Sequence, residues 1–455
     1  MNNTADVAGS EEFSGQKVRL YPVTRIQGRA DIELSFTPDQ EVRAVRFRAL
    51  EKRGMEGLVT RLPVMRAPAV MSRVCGTCGP FHQLASCMAI EDALGVEVSA
   101  EAVWFRELTS WLNLTVSHLT TIMYHALPDF ALPTSDAAVK NIAGIYMVDQ
   151  EYVSRLSHAL TSISEALFAL VGNSLRPAVA VPGGVSTIPD EAALQSASEL
   201  LKACDDDLRE TMRLAEMLTR RESKMMEAES RLPGYYMCSA AGGRAALLGD
   251  EVAAGAFSGG NAITLDPEAF LAAIEERPVP WSYLVPLAVR GLEPAMVGPL
   301  ARLNVGFGED TPVADLECRR AVEQWGHPLS SEFFYMLALS LESIWAWEKA
   351  RGLLSVGPPS GGKPCETVQP GAGQGVAILD SPRGILAHAV SIDEKGLVDS
   401  YHVMSPLQFN YLMINEHLTS LAERTVHGID ISDAEASRLQ MAVRSFNPCV
   451  PCGTH

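Results

Sequence analysis

The sequence predicts a mostly α protein with small β parts: a core of long helices, an N-terminal β hairpin or sheet, and a C-terminal β segment. Three observations predict it. Long helical stretches run from about 101 to 171 and from 189 to 228; in the second, Leu201, Cys204, Leu208, Met212 and Ala215 recur at three- and four-residue steps and mark a face packed in a bundle. From Val18 to about Leu50 the pattern has a period of two, as in Asp31-Ile32-Glu33-Leu34-Ser35-Phe36 and Val42-Arg43-Ala44-Val45-Arg46-Phe47. Strand-like segments follow at 375–380, 385–392 and 397–403.

Taken in order, residues 1–16 read as a disordered tail before a single body spanning 17–455. Its N-terminal β part, 17–62, is an antiparallel hairpin turning near Thr37-Pro38-Asp39, followed by a helical segment from Met55 to about Leu62. The helical core, 63–230, includes a helix opened by Arg73–His82 and stopped by Gly95. Residues 231–320 are richer in Gly and Pro and less periodic, which suggests a peripheral lobe. The last part, 321–455, is α/β: a helix over about 329–352, the three strands, and helices at about 405–424 and 431–445. Gly357-Pro358-Pro359-Ser360-Gly361-Gly362-Lys363-Pro364 nearly spells a phosphate-binding loop. Pro364 stands where Ser or Thr would hold magnesium, and it has no N–H to offer a phosphate, so nucleotide binding is not expected.

A net charge of −18 argues against nucleic acid and anionic membranes as partners. No run of about 18 apolar residues occurs, so no membrane span is expected. The polar, acidic start lacks the basic and apolar regions of a signal peptide and lacks a twin-arginine pair. A cytoplasmic location is the expectation, with export alongside a signal-bearing partner as the alternative.

Chemistry is concentrated in two motifs: Arg73-Val74-Cys75-Gly76-Thr77-Cys78-Gly79-Pro80-Phe81-His82, and Asn447-Pro448-Cys449-Val450-Pro451-Cys452-Gly453-Thr454-His455 at the other end. Two residues between cysteines let both sulfurs face one point, as a thiolate-seeking metal requires. Soft sulfur donors narrow the metal to zinc, iron–sulfur, copper(I) or a nickel- or iron-type centre. A structural zinc site usually joins knuckles a few tens of residues apart, whereas these pairs lie roughly 370 positions apart. Nine cysteines in a chain of this size also make a disulfide framework a weak reading.

Arg-x-Cys-Gly-x-Cys-x-x-x-His near the start and Pro-Cys-x-x-Cys-x-x-His at the end resemble the large, catalytic subunit of nickel–iron hydrogenases. Thr24-Arg25-Ile26-Gln27-Gly28, Arg53-Gly54-Met55-Glu56 and Ser381-Pro382-Arg383-Gly384 agree with that family in order, so the likeness spans almost the whole chain. The resemblance implies that Cys75, Cys78, Cys449 and Cys452 bind nickel, that Cys78 and Cys452 also bridge to iron, and that Cys75 and Cys449 are terminal thiolates. It implies carbon monoxide and cyanide ligands on the iron, covered by Pro382 and Arg383, with His82 near the metals. Glu56 and His455 match the ligands of a magnesium-like ion. The reaction implied is reversible oxidation of dihydrogen, with electrons leaving through a separate iron–sulfur small subunit, then through further electron-transfer subunits. No iron–sulfur cluster is expected in this chain, because the remaining cysteines show no cluster spacing. Ending at His455 matches relatives whose tail is cut after this histidine, or a chain that never had one.

Departures from the family pattern bear on the proton. Gln27 stands where a Glu usually takes the proton from a terminal thiolate, and a neutral amide cannot relay protons. Asn447 replaces an Asp before Pro-Cys, Arg29 replaces a common His, and Leu407 occupies a place where Ser or Thr usually donates to a cyanide. His118 and His125 read as core histidines. These departures imply altered proton transfer. They also keep open a dihydrogen sensor with slow turnover and, more remotely, a structural zinc protein. A non-catalytic relative of the quinone-side respiratory type is disfavoured because all four cysteines are present.

Overall fold

The computed structural model describes residues 16–133, 136, 138–172, 179–222, 231–307, 310–360 and 363–455; most of the expected tail lies outside them. The alternating N-terminal segment closes a three-stranded antiparallel sheet of β1 (Lys17–Leu20), β2 (Ala30–Phe36) and β3 (Val42–Ala49). The expected hairpin is β2–β3, and β1 extends it. After the short helices α1 (Met55–Val59) and α2 (Ala67–Met71) comes α3 (Gly79–Leu94), which Gly95 ends in a left-handed conformation.

The helical core holds α4 (Ala100–Thr121), α5 (Leu127–Ala131), α6 (Ile142–Val148), α7 (Gln150–Val171), α8 (Glu191–Ala203) and α9 (Asp205–Arg221). One π turn, Ile122–Ala126, joins α4 to α5. Pro128 follows it and offers no N–H to the preceding turn, so the ladder opens there. The stretch expected from 189 to 228 breaks at Cys204, because Asp205-Asp206-Asp207 suits a new helix N-terminus better than a helix interior; residues 223–228 lie outside the described ones. The predicted face is buried at Leu201, Cys204, Leu208, Met212 and Ala215. A small hairpin, β4 (Ala180–Val181) with β5 (Gly184–Val185), separates α7 from α8.

Residues 231–320 depart from the expected peripheral lobe. They build a sheet of β6 (Tyr235–Ala241), β7 (Arg244–Ala245), β8 (Glu251–Ala256) and β9 (Ile263–Leu265), then α10 (Pro267–Ala273), β10 (Ile274–Glu276), β11 (Leu287–Val289) and β12 (Ala295–Met296). β12 runs parallel beside β6. Helix α11 (Pro299–Val305) is core, with Leu300, Ala301 and Arg302 fully buried; α12 (Pro312–Trp325) follows. So short a buried helix shows no periodicity to read.

Helix α13 (Tyr335–Val356) is apolar nearly all round and runs through the centre along α4, with Trp345 edge-on to Trp111 at 4.6 Å between ring centroids. The C-terminal sheet is β13 (Gly373–Ser381), β14 (Gly384–Ile392) and β15 (Val398–Met404), followed by α14 (Pro406–Thr425), α15 (Asp433–Arg444) and α16 (Val450–Gly453). Gly361 and Gly362 of the loop resembling a phosphate site are outside the described residues. Helix α3 lies on β13 and β14, which sets the first cysteine motif over the β13–β14 turn. Helix α14 covers the border of β3. There Val45 N donates to Thr419 Oγ1 (3.0 Å), Phe47 N donates to Asn415 Oδ1 (2.8 Å), and Tyr411 donates to the Phe47 carbonyl (2.6 Å).

Candidate metal centre

Each cysteine pair is presented by the start of a helix. Cys78 is the residue before α3, and Gly79 begins that helix so close to α2 that a β-carbon would stand 2.4 Å from the Ser72 carbonyl oxygen. Cys449 precedes α16 in the same way, and Cys452 lies within it. The two ends of the chain are tied by backbone. Gln27 bridges Cys449 in parallel, Val450 N donates to the Gln27 carbonyl (2.9 Å), and Arg53 N donates to the Thr454 carbonyl (2.7 Å).

Cys75, Cys78, Cys449 and Cys452 are thereby gathered in a buried cluster whose sulfurs all lie within 4.8 Å of one another. Cys75 Sγ and Cys449 Sγ are 3.3 Å apart. Hydrogen bonds from Cys449 and Cys452 hold the Cys75 and Cys78 thiols below the usual value, while burial pushes Cys449 and Cys452 well above it. Protein groups alone therefore favour ionising only part of the set; a bound cation is what lets every sulfur ionise.

The β13–β14 turn consists of Pro382 and Arg383, between the paired Ser381 and Gly384. Arg383 is buried; its Nη1 donates to Cys78 Sγ at 2.7 Å and to Thr77 Oγ1 at 3.1 Å. Burial opposes its charge, and the sulfurs of Cys78, Cys449, Cys75 and Cys452 reverse the effect, raising its pKa. Arg383 Nε and Asn447 Nδ2 are buried donors that find no acceptor among the described residues. Four soft, buried donors with spare N–H groups beside them fit a thiolate-bound metal whose other ligands accept hydrogen bonds.

His82 is buried four positions past Cys78, and its Nδ1 lies 3.0 Å from His388 Nε2. His388 Nδ1 lies 2.7 Å from the Tyr401 hydroxyl. Burial lowers His82 to about 4 and takes His388 well below its usual value, so both are neutral links. Glu56 and His455 also meet: His455 Nδ1 lies 2.8 Å from the Cys452 carbonyl oxygen, which leaves Nε2 facing Glu56 Oε1 at 3.4 Å. An imidazole lone pair opposite a carboxylate oxygen suits a shared cation.

Of the remaining sequence candidates, Leu407 is buried against Gly453. His118 is buried against Glu342, at 2.7 Å. His125 lies on the π turn, partly buried, and burial lowers it to about 4. Thr77, His388 and Tyr401 join the site without a sequence motif that assigns them a role. Thr77 lies between the two cysteines of the first motif, and the sequence signals His388 only as one polar residue in the apolar run Ile385–Val390.

Comparison with known proteins agrees with this geometry. The sequence model of the family described as Nickel-dependent hydrogenase matches residues 53–142 and 361–455, the segments that carry all four cysteines, Glu56, Arg383 and His455. One vhu subunit of the F420-non-reducing hydrogenase of Methanocaldococcus jannaschii is 29% identical over 391 residues, 84% of this chain and 93% of that relative. The NAD-reducing hydrogenase HoxS subunit beta of Cupriavidus necator is 26% identical, over 97% of this chain and 95% of its own. Among solved structures, an NAD+-reducing [NiFe]-hydrogenase in the H2-reduced state superposes with a TM-score of 0.89 at 24% identity, over 97% of this chain and 99% of that one. The Ni-Fe-Se hydrogenase of D. vulgaris Hildenborough gives 0.78 at 19% identity, over 97% of this chain and all of its own. In its four-sulfur cluster, in these sequence matches and in its fold, the chain is similar to nickel-dependent hydrogenases.

Proposed function

We propose that this chain is the catalytic subunit of a nickel–iron hydrogenase, oxidising dihydrogen reversibly and heterolytically to protons and electrons. The observation that carries the proposal is the buried cluster of Cys75, Cys78, Cys449 and Cys452 beneath the Arg383 guanidinium. A nickel–iron centre held there supplies an electron-pair acceptor next to a base, which splitting so weak an acid demands. In this reading Cys75, Cys78, Cys449 and Cys452 would hold the nickel and iron, and Cys449 would receive the proton. Arg383 orients and polarises substrate with a fixed positive charge. Arg383 Nε and Asn447 Nδ2 would be the donors available to carbon monoxide and cyanide on the iron, and Pro382 and His82 would close the surroundings. Glu56 and His455 hold a magnesium-like ion.

Electrons pass to an iron–sulfur small subunit, then onward to further subunits; the relatives' names, each denoting one subunit of a larger enzyme, support an assembly of this kind. A cytoplasmic location follows the same reading. Infrared spectroscopy with metal analysis tests it: nickel and iron in equal amounts, with carbon monoxide and cyanide bands, are expected. Zinc without those bands would sink the proposal. A second reading, a dihydrogen sensor, is favoured by one observation: residue 27, whose backbone is bridged to Cys449, carries a neutral amide side chain. Fast steady-state dihydrogen oxidation would exclude it.

A further inference from the structure

A proton released at the thiolates needs an ionisable acceptor, and Gln27 offers only a neutral amide. Two internal candidates are committed elsewhere. The His82–His388 pair leads to Tyr401, which is itself buried and so opens no way to water. Glu56 accepts from Val403 N at 2.7 Å and faces His455.

A third direction is open. A pocket of about 510 Å³ reaches Cys75, and its wall includes Gln27, Arg29, Glu51, Arg53 and Arg73. Guanidinium groups are always charged and accept no proton, so Glu51 is the ionisable acceptor in that wall apart from Cys75 itself. Its Oε1 is buried and has no hydrogen-bond partner among the described residues. That oxygen lies 2.7 Å from where a β-carbon of residue 28 would stand, beside Val450 and Pro451 of the terminal motif. Gly28 has φ +88°, so only glycine keeps both the backbone and this gap. The pocket is wide enough to admit water.

We infer that Glu51 carries the catalytic proton in place of the missing carboxylate at position 27; this rests on the hydrogenase reading. The Cys449 and Cys75 sulfurs are 3.3 Å apart, and Cys75 borders the pocket. The proton leaves this sulfur pair as an S–H bond breaks, crosses pocket water, and forms an O–H bond on the Glu51 carboxylate. No electron moves with it. Glu51 then releases it to solvent, and the thiolate and carboxylate are restored.

The test uses the assembled, metal-loaded complex and compares wild type with Glu51→Gln, Glu51→Asp and the double variant Glu51→Gln/Gln27→Glu. Exchange of D2 with solvent protons is followed by mass spectrometry, together with the infrared difference spectrum on adding dihydrogen. Glu51→Gln is expected to keep the metals and their diatomic-ligand bands, to lose a carboxyl difference band, and to slow exchange by about 10²-fold. Glu51→Asp should fall between, and the double variant should regain exchange. Wild-type exchange with an unchanged carboxyl band in Glu51→Gln would overturn the inference. Should Glu51→Gln fail to load metal, Glu51→Asp decides: a shifted carboxyl band with slower exchange supports the role, and no change in either refutes it. Absence of diatomic-ligand bands from wild type would instead refute the hydrogenase reading, a separate failure.

Discussion

Arg383 concentrates the local electrostatics, as one buried guanidinium donating to Cys78 and Thr77 from the β13–β14 turn. Lysine could replace its charge but neither its planar fork nor the reach of Nε. Arg383→Lys is expected to bind nickel and iron normally while dihydrogen oxidation falls by about 10²- to 10³-fold, measured as turnover per nickel. At the second ion site proposed for Glu56 and His455, His455→Ala removes the nitrogen that faces Glu56, and magnesium content by elemental analysis is expected to fall. The residues the structure gathers at the centre were conspicuous in sequence because their chemistry needs fixed short spacings. Glu51 and His388 were not, since what distinguishes them is where the fold puts them: one opposite Gly28, the other on the ring of His82.

Among the elements, α11 does the most that sequence concealed. Its Arg302 donates to Glu342 on α13 through Nε (2.6 Å) and Nη2 (2.8 Å), pairs with Asp380, and donates to the Ser381 and Pro382 carbonyls at 3.0 and 3.3 Å. Burial pushes the Asp380 carboxyl up to about 6, against the pull of Arg302. The turn bearing Arg383 therefore stands on a desolvated ion cluster joining α11, α13 and β13. Glu342→Gln weakens the two charge-assisted bonds from Arg302 and leaves Asp380 as its counter-ion, so a loss of about 2 kcal/mol in a denaturant titration is expected. Gly79→Ala would force α3 away from Ser72, lowering both thermal stability and nickel content. Long amphipathic and alternating segments announced themselves through their period. The break at Cys204 and the buried α11 did not, because a run of aspartates and a short apolar stretch are each compatible with several local structures.

For the molecule as a whole, the four cysteines join α3 to the terminal segment, which is also held by backbone bonds to Gln27 and Arg53 and by packing on α14. Metal loading should therefore stabilise that segment selectively. In hydrogen-exchange measurements the Val450 and Cys452 amides are expected to exchange faster in metal-free protein, while amides paired between β13 and β14 change little. Another consequence follows from the hydroxyl and amide groups of α14 that occupy the outer N–H and C=O groups of Val45 and Phe47. An approaching strand from another polypeptide finds those ladder positions already taken, so this flank resists edge-to-edge stacking. Any protein that docks on this flank has to recognise side chains there rather than continue the sheet.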